Sequence, residues 1–178
     1  SSTALEPSTL DVRPRAVPEL DPADYEAVLA GFDLARLRSG DVDYASVKRL
    51  KLALLDRAFA RFETAGRARH RRHETFARHH AAWLPGYTLF RVLVEREGHE
   101  QWDRWPETVR TLADAERWLA AQTPGVRSAF ERRRRFFAYV QEIAFRQWRA
   151  LHDHGSRKGV ALMGDVPIGI NYYSSDVF

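Results

Sequence analysis

The sequence predicts a mainly α-helical chain that closes on one β-strand, and three patterns carry that expectation. Val47, Leu50, Leu54, Leu55, Ala58, Phe59 and Phe62 recur every three or four residues, while Lys48, Lys51, Asp56, Arg57 and Arg61 take the other faces. Phe130, Phe137, Val140, Ala144, Trp148 and Leu151 line one face of a longer helical stretch. The helical period then stops, and Val160, Ala161, Leu162 and Met163 form a continuous apolar run that suits a parallel strand buried on both faces.

Composition fits a folded domain. At 178 residues a single domain buries roughly 70% of the surface its unfolded chain exposes. With 44% hydrophobic and 29% charged residues, the balance is that of a globular protein rather than a disordered one. No apolar run approaches the roughly 20 residues that span a bilayer, so no membrane partner is expected. The opening SSTALEPSTLDV has neither the charged start nor the apolar stretch of a signal peptide. The chain contains no cysteine, which excludes disulfides and thiolate metal sites and leaves the cytoplasm as the expected setting. The net charge of +4 is a small surplus of arginine character.

Taken in order, residues 1–20 read as an extended connection without a helix, because Pro7, Pro14 and Pro18 interrupt them. Asp21 caps a short helix with Pro22 at its first position, followed by Tyr25, Val28, Leu29 and Phe32. The amphipathic helix runs from Asp43 to Glu63 and Gly66 ends it. A helix from about Arg67 to Trp83 stops before Pro85, which disfavours helical backbone in the residue ahead of it. Another runs from Gly86 to Glu97. Gly98 and Pro106 break the next stretch, and a short helix starts at Pro106. The longest helix covers Val126 to His154, with Gly155 as its stop. A lone strand after it cannot satisfy its own ladder hydrogen bonds, so its neighbours are expected outside this sequence. The chain also opens on Ser1 rather than Met, so it reads as an internal piece of a longer protein.

The segment GVALMGDVPIGINYYSSDVF sets Asp165 at the carboxyl end of the predicted strand, ahead of Pro167, Gly169 and a polar loop. Barrels of alternating strands and helices keep their chemistry in the loops at those strand ends. Through Gly164, Asp165, Pro167, Ile168, Ser174, Asp176 and Val177, the chain resembles the amylomaltase or disproportionating-enzyme family of 4-alpha-glucanotransferases. SSTALEP, VDYASVKRLK, WLPGYTLF, WDRWP and FAYVQEIAFRQW extend the likeness over most of the chain, in the family's order. Gly169, Asn171 and Tyr173 depart from the pattern of many relatives, which bears on specificity rather than fold.

The resemblance implies a parent (β/α)8 TIM barrel. Residues 21–155 would be a helical subdomain inserted in it, and residues 160–178 a barrel strand with its active-site loop. It implies transfer of alpha-1,4-glucan segments between maltooligosaccharides by a retaining double displacement, which needs two carboxylates. In the family these follow later strands, so no catalytic residue is expected within these 178. The resemblance gives Asp165 a substrate-positioning role, and Ser174 and Asp176 are candidate substrate-binding residues. No metal and no cofactor is expected.

Blander readings stand beside these. Aspartate in a Gly-Asp-x-Pro sequence is commonly a turn residue, and a Ser-Ser-Asp loop caps helices readily. His70, His73, His79 and His80 lack a carboxylate or cysteine partner in sequence and read as solvated surface histidines rather than metal ligands. Trp102 and Trp105 read as packed indoles rather than sugar platforms. RARHRR at 67–72 and RRRR at 132–135 raise an arginine-rich nucleic-acid or interaction module as the alternative. Glu74, Glu131 and Glu142 dilute both runs, so no nucleic-acid partner is expected.

Overall fold

The computed structural model describes residues 4–164 and 169–178, and among them it is helical throughout, with no strand. Its α-helices are α1 (Pro22–Leu29), α2 (Leu34–Leu37), α3 (Tyr44–Glu63), α4 (Arg67–His79), α5 (Leu84–Glu97), α6 (Leu112–Ala120) and α7 (Pro124–Arg157). Among the described residues, no helix is long and apolar enough to cross a membrane. The chain divides into two compact units, and α4 and α7 each contribute to both.

The larger unit comprises residues 5–75 and 139–162. Side-chain caps start its helices where the sequence placed them: Asp21 accepts from the Ala23 N–H at 2.8 Å, and Asp43 from the Ser46 N–H at 3.0 Å. Leu54, Leu55, Ala58, Phe59 and Phe62 form the buried face of α3. Tyr139 packs on it, with ring centroids 5.6 Å from Phe59 and 4.9 Å from Phe62.

Residues 5–20 are part of this core rather than a bare connection. They contain a 3-10 turn, Pro7–Thr9, and they bury Leu10, Val12, Val17 and Leu20. Two glutamines of α7 hold this stretch. Gln141 accepts from the Leu5 N–H at 2.9 Å and donates to the Leu5 carbonyl at 2.8 Å. Gln147 does the same at Asp11, at 2.9 and 2.7 Å. Each carboxamide thus takes the place of a peptide group on a neighbouring strand, satisfying backbone that Pro7 and Pro14 keep out of any regular ladder.

A charged cluster lies inside the same unit. Arg69 is 8% exposed and His73 is 9% exposed, which corrects the expectation that the RARHRR run and the histidines only solvate a helix face. Arg69 donates to Glu142 at 2.7 and 2.9 Å and to Glu19, while His73 Nδ1 lies 2.8 Å from Glu142. The Arg69 guanidinium also sits 4.7 Å over the Phe62 ring. Burial pushes the Glu142 carboxyl upward, but the His73 hydrogen bond and the Arg69 charge outweigh it and hold the group below its ordinary value. Burial, reinforced by the negative charge of Glu19, pushes the Tyr139 phenol far up, so its hydroxyl remains a donor to Glu19 at 3.1 Å.

The helical reading fails at three boundaries, each for a local reason. Pro85 does not separate two helices but sits in the first turn of α5, where the missing N–H costs nothing. In place of one helix from Pro106, a 3-10 turn at Glu107–Val109 precedes α6, which Thr111 caps by accepting from the Asp114 N–H at 3.2 Å. Helix α7 runs through Gly155 to Arg157 and is stopped two residues later by Gly159, whose φ is +72°. There the Gly159 N–H donates to the Ser156 carbonyl and the Val160 N–H to the Gly155 carbonyl, at 3.1 and 2.9 Å, the paired bonds of a Schellman stop. Val160–Met163, expected as a strand, has no strand partner among the described residues and is exposed.

The smaller unit comprises residue 4, residues 76–138 and the described residues of 163–178. Its core joins Leu89, Phe90 and Leu93 of α5 to Trp105, Val109, Ala115 and Leu119. Gly98 ends α5 with φ +79°, and its N–H donates to the Val94 carbonyl at 2.9 Å.

Candidate functional site

The sequence concentrates its candidate site at the C-terminal loop. Asp165 lies outside the described residues, as do Pro167 and Ile168. Residues 169–178 belong to the smaller unit, where their seat is built from the WDRWP stretch and α5.

A 3-10 turn at Trp102–Arg104 separates the two indoles by three residues and gives them different tasks. Trp105 is 1% exposed and its Nε1–H donates to the His99 carbonyl at 3.1 Å, so it is the packed indole the sequence implies. Trp102 is half-buried, and its Nε1–H donates to the Tyr172 carbonyl at 2.9 Å while its ring lies 4.9 Å from the Tyr172 ring. Trp102 therefore fixes both the backbone and the side chain of one loop residue. At the loop's end the Phe178 ring sits 5.5 Å from Phe90 and 5.5 Å from Trp105.

Between these anchors the loop closes on itself. The Ser174 carbonyl accepts from the Val177 and Phe178 N–H groups at 3.3 and 3.2 Å, and Asn171 Oδ1 accepts from the Tyr173 N–H at 3.0 Å. Tyr173, one of the three residues that depart from the family pattern, directs its hydroxyl toward Asp103 Oδ2 at 3.4 Å. Ser174 Oγ and Asp103 Oδ1 are both buried, with no hydrogen-bond partner among the described residues. Asp176 is exposed.

The structure thus brings Ser174 and Asp176 together on one turn but gives them unlike surroundings. Sequence reasoning missed Asp103. The only signal for it was its place between the two tryptophans of WDRWP, which marked packing and not a polar contact.

Other groups of chemical interest are already engaged. Among the described residues, no three of His, Cys, Asp and Glu converge as metal ligands. The basic runs are threaded with carboxylates: Arg133 meets Glu95 through two bonds of 2.6 Å, and Arg134 donates to Glu131 at 2.9 Å and to the Pro85 carbonyl at 3.2 Å. Arg69, held by Glu19 and Glu142, and Arg133 and Arg134 thus serve the fold, while Arg67, Arg71, Arg72, Arg132 and Arg135 are exposed.

Comparison with known proteins agrees with the sequence motifs over the whole chain. The 4-alpha-glucanotransferase family model matches residues 1–178, and the chain belongs to that family. It is 30% identical over 161 residues to the 4-alpha-glucanotransferase of Aquifex aeolicus, covering 89% of this chain and 31% of the relative. With the 4-alpha-glucanotransferase of Thermus thermophilus it shares 31% over 145 residues, covering 78% of this chain and 27% of the relative. The chloroplastic or amyloplastic 4-alpha-glucanotransferase of Solanum tuberosum is 27% identical over 142 residues, 77% of this chain and 23% of the relative. The chain therefore spans about a third or less of the length of these relatives.

Proposed function

We propose that this chain is the helical portion, with one barrel strand and its active-site loop, of a longer 4-alpha-glucanotransferase. That enzyme would move alpha-1,4-glucan segments between maltooligosaccharides, without a metal or organic cofactor and in the cytoplasm. The observation that carries the reading is the family match across residues 1–178. In the proposal, residues 21–155 are the subdomain inserted in a parent (β/α)8 barrel, and residues 160–178 are a barrel strand and its loop.

The reaction class is a retaining double displacement, in which one carboxylate forms a glycosyl-enzyme bond and a second carboxylic acid protonates the departing oxygen. A sugar hydroxyl then replaces water in the second step. Both carboxylates would come from later strands of the parent. Within this chain Asp165 would position a sugar by hydrogen bonding, Asp176 would contribute from the exposed side of the turn, and Ser174 from beneath it. The Ser174 hydroxyl, unpartnered among the described residues, supports its part, since a buried polar atom without a partner is costly unless something else completes it.

Incubating the full-length parent with maltotriose tests the reading. Glucose together with maltooligosaccharides longer than the substrate is the expected outcome. Hydrolysis products alone, or no action on any alpha-glucan by folded enzyme, would overturn it.

A further inference from the structure

The C-terminal loop carries an aromatic side chain that is held in place and yet left open. Tyr172 is 51% exposed, although Trp102 holds it twice, through the 2.9 Å bond to its carbonyl and through a ring contact at 4.9 Å with an interplanar angle of 38°. The Tyr173 ring meets it in a T-shaped contact at 5.1 Å and 71°, and the Tyr173 hydroxyl in turn reaches Asp103 Oδ2 at 3.4 Å. All four residues belong to the smaller unit.

Fixing a side chain costs conformational entropy, which burial normally offsets. Here the ring is fixed and half of its surface still faces outward. A ring already immobilised loses little further freedom when a ligand covers it, so the contact goes into affinity. The polar side chains of the loop indicate what kind of ligand that is. Asn171, next to the ring in sequence, and Asp176, on the closing turn, are both exposed. An apolar partner surface laid over this loop would bury their amide and carboxylate without partners. A pyranose matches both features: the C–H groups of its face suit the electron-rich face of an aromatic ring, and the hydroxyls around its edge need donors and acceptors. Trp102 is then not the sugar platform but the support of one.

We propose that Tyr172 is a stacking platform for one glucose ring of an alpha-1,4-glucan, a specificity-determining contact that Asp165, Ser174 and Asp176 cannot supply because none of them has an apolar face. The inference rests on the proposed transferase function, which brings a glucan to this loop.

Variants of the full-length parent test it. Tyr172→Phe keeps the ring, Tyr172→Leu keeps apolar bulk against Trp102 without a flat face, and Tyr172→Ala removes both. Affinity is read by electrophoresis through gels containing amylose, which requires no turnover, and the KM for maltotriose disproportionation is read beside it. Both constants should rise about ten-fold in Tyr172→Leu and Tyr172→Ala and stay within about two-fold in Tyr172→Phe, a ten-fold change corresponding to about 1.4 kcal/mol. Wild-type affinity in Tyr172→Leu would make the ring a packing residue of the loop and overturn the inference, as would constants unchanged in every variant. Should Tyr172→Ala fail to fold, the comparison of Tyr172→Leu with Tyr172→Phe decides alone. A parent that binds amylose through Tyr172 but forms no transfer products loses only the functional reading. One that transfers equally well with leucine and with phenylalanine at this position loses only the platform.

Discussion

Glu142 shows at the scale of one residue how a charge run in sequence becomes a core in structure. It lies 2.7 and 2.9 Å from Arg69 and 2.8 Å from His73, and all three side chains are nearly buried. Removing one partner of a buried ion pair costs about 3–5 kcal/mol because the other charge is stranded. The Glu142→Gln variant should therefore melt well below the wild type. Because the folded carboxyl is held below its ordinary 4.5, its stabilisation is fully present above that value and is lost as pH falls through the lowered one. A melting-temperature series across acid pH should show this limb in the wild type and a flatter one in Glu142→Gln; parallel curves would count against the cluster's role. Asp165 offers the matching prediction for the site. A charge-assisted hydrogen bond is worth about 1.5–3 kcal/mol, so Asp165→Asn in the full-length enzyme should lower maltotriose turnover by about one to two powers of ten with an unchanged circular-dichroism spectrum. Near-normal turnover would make Asp165 a turn residue. Residue types alone did not reveal Arg69 or His73 as buried, because an arginine run looks the same whether its partners are water or the distant Glu19 and Glu142.

At the scale of elements, the two glycines at the end of α7 give a clean contrast. Gly159 has φ +72°, where a Cβ costs about 1–2 kcal/mol, so Gly159→Ala should destabilise the fold by that amount. Gly155 is helical, and alanine there gains about 1 kcal/mol of helix propensity against a Cβ contact of 3.3 Å with the Val160 oxygen. Gly155→Ala should therefore be close to neutral in denaturant unfolding, and equal losses for the two variants would refute this account of the stop. The longer helices were legible because their apolar period spans many turns: α3 follows the reading to within a residue, and α7 extends it at both ends. Other features were hidden because their cause is non-local or very short. The pairing of Leu5 with Gln141 crosses 136 residues, and α6 needed only Thr111 as a cap and nine residues. The strand pattern at 160–163 was read from apolar content alone, and a ladder requires partners that the described residues do not provide.

At the scale of the whole molecule, the described residues of the proposed site all belong to the smaller unit, and the chemistry of transfer is proposed to come from elsewhere in the parent. The loop 169–178 is seated by Trp102, Trp105 and Phe90, and under the proposed function it would form one wall of the glucan site. Double displacement needs a nucleophile and an acid/base residue within about 5–5.5 Å of each other across the scissile bond. When such a pair is missing, what remains of a site binds and positions without opening the covalent route. The purified 178-residue chain should accordingly form neither glucose nor longer oligosaccharides from maltotriose under conditions in which the full-length parent does both. Product analysis by anion-exchange chromatography checks this directly. Disproportionation by the chain alone, free of parent enzyme, would mean that the catalytic carboxylates lie within residues 1–178 and that their assignment to later strands is wrong.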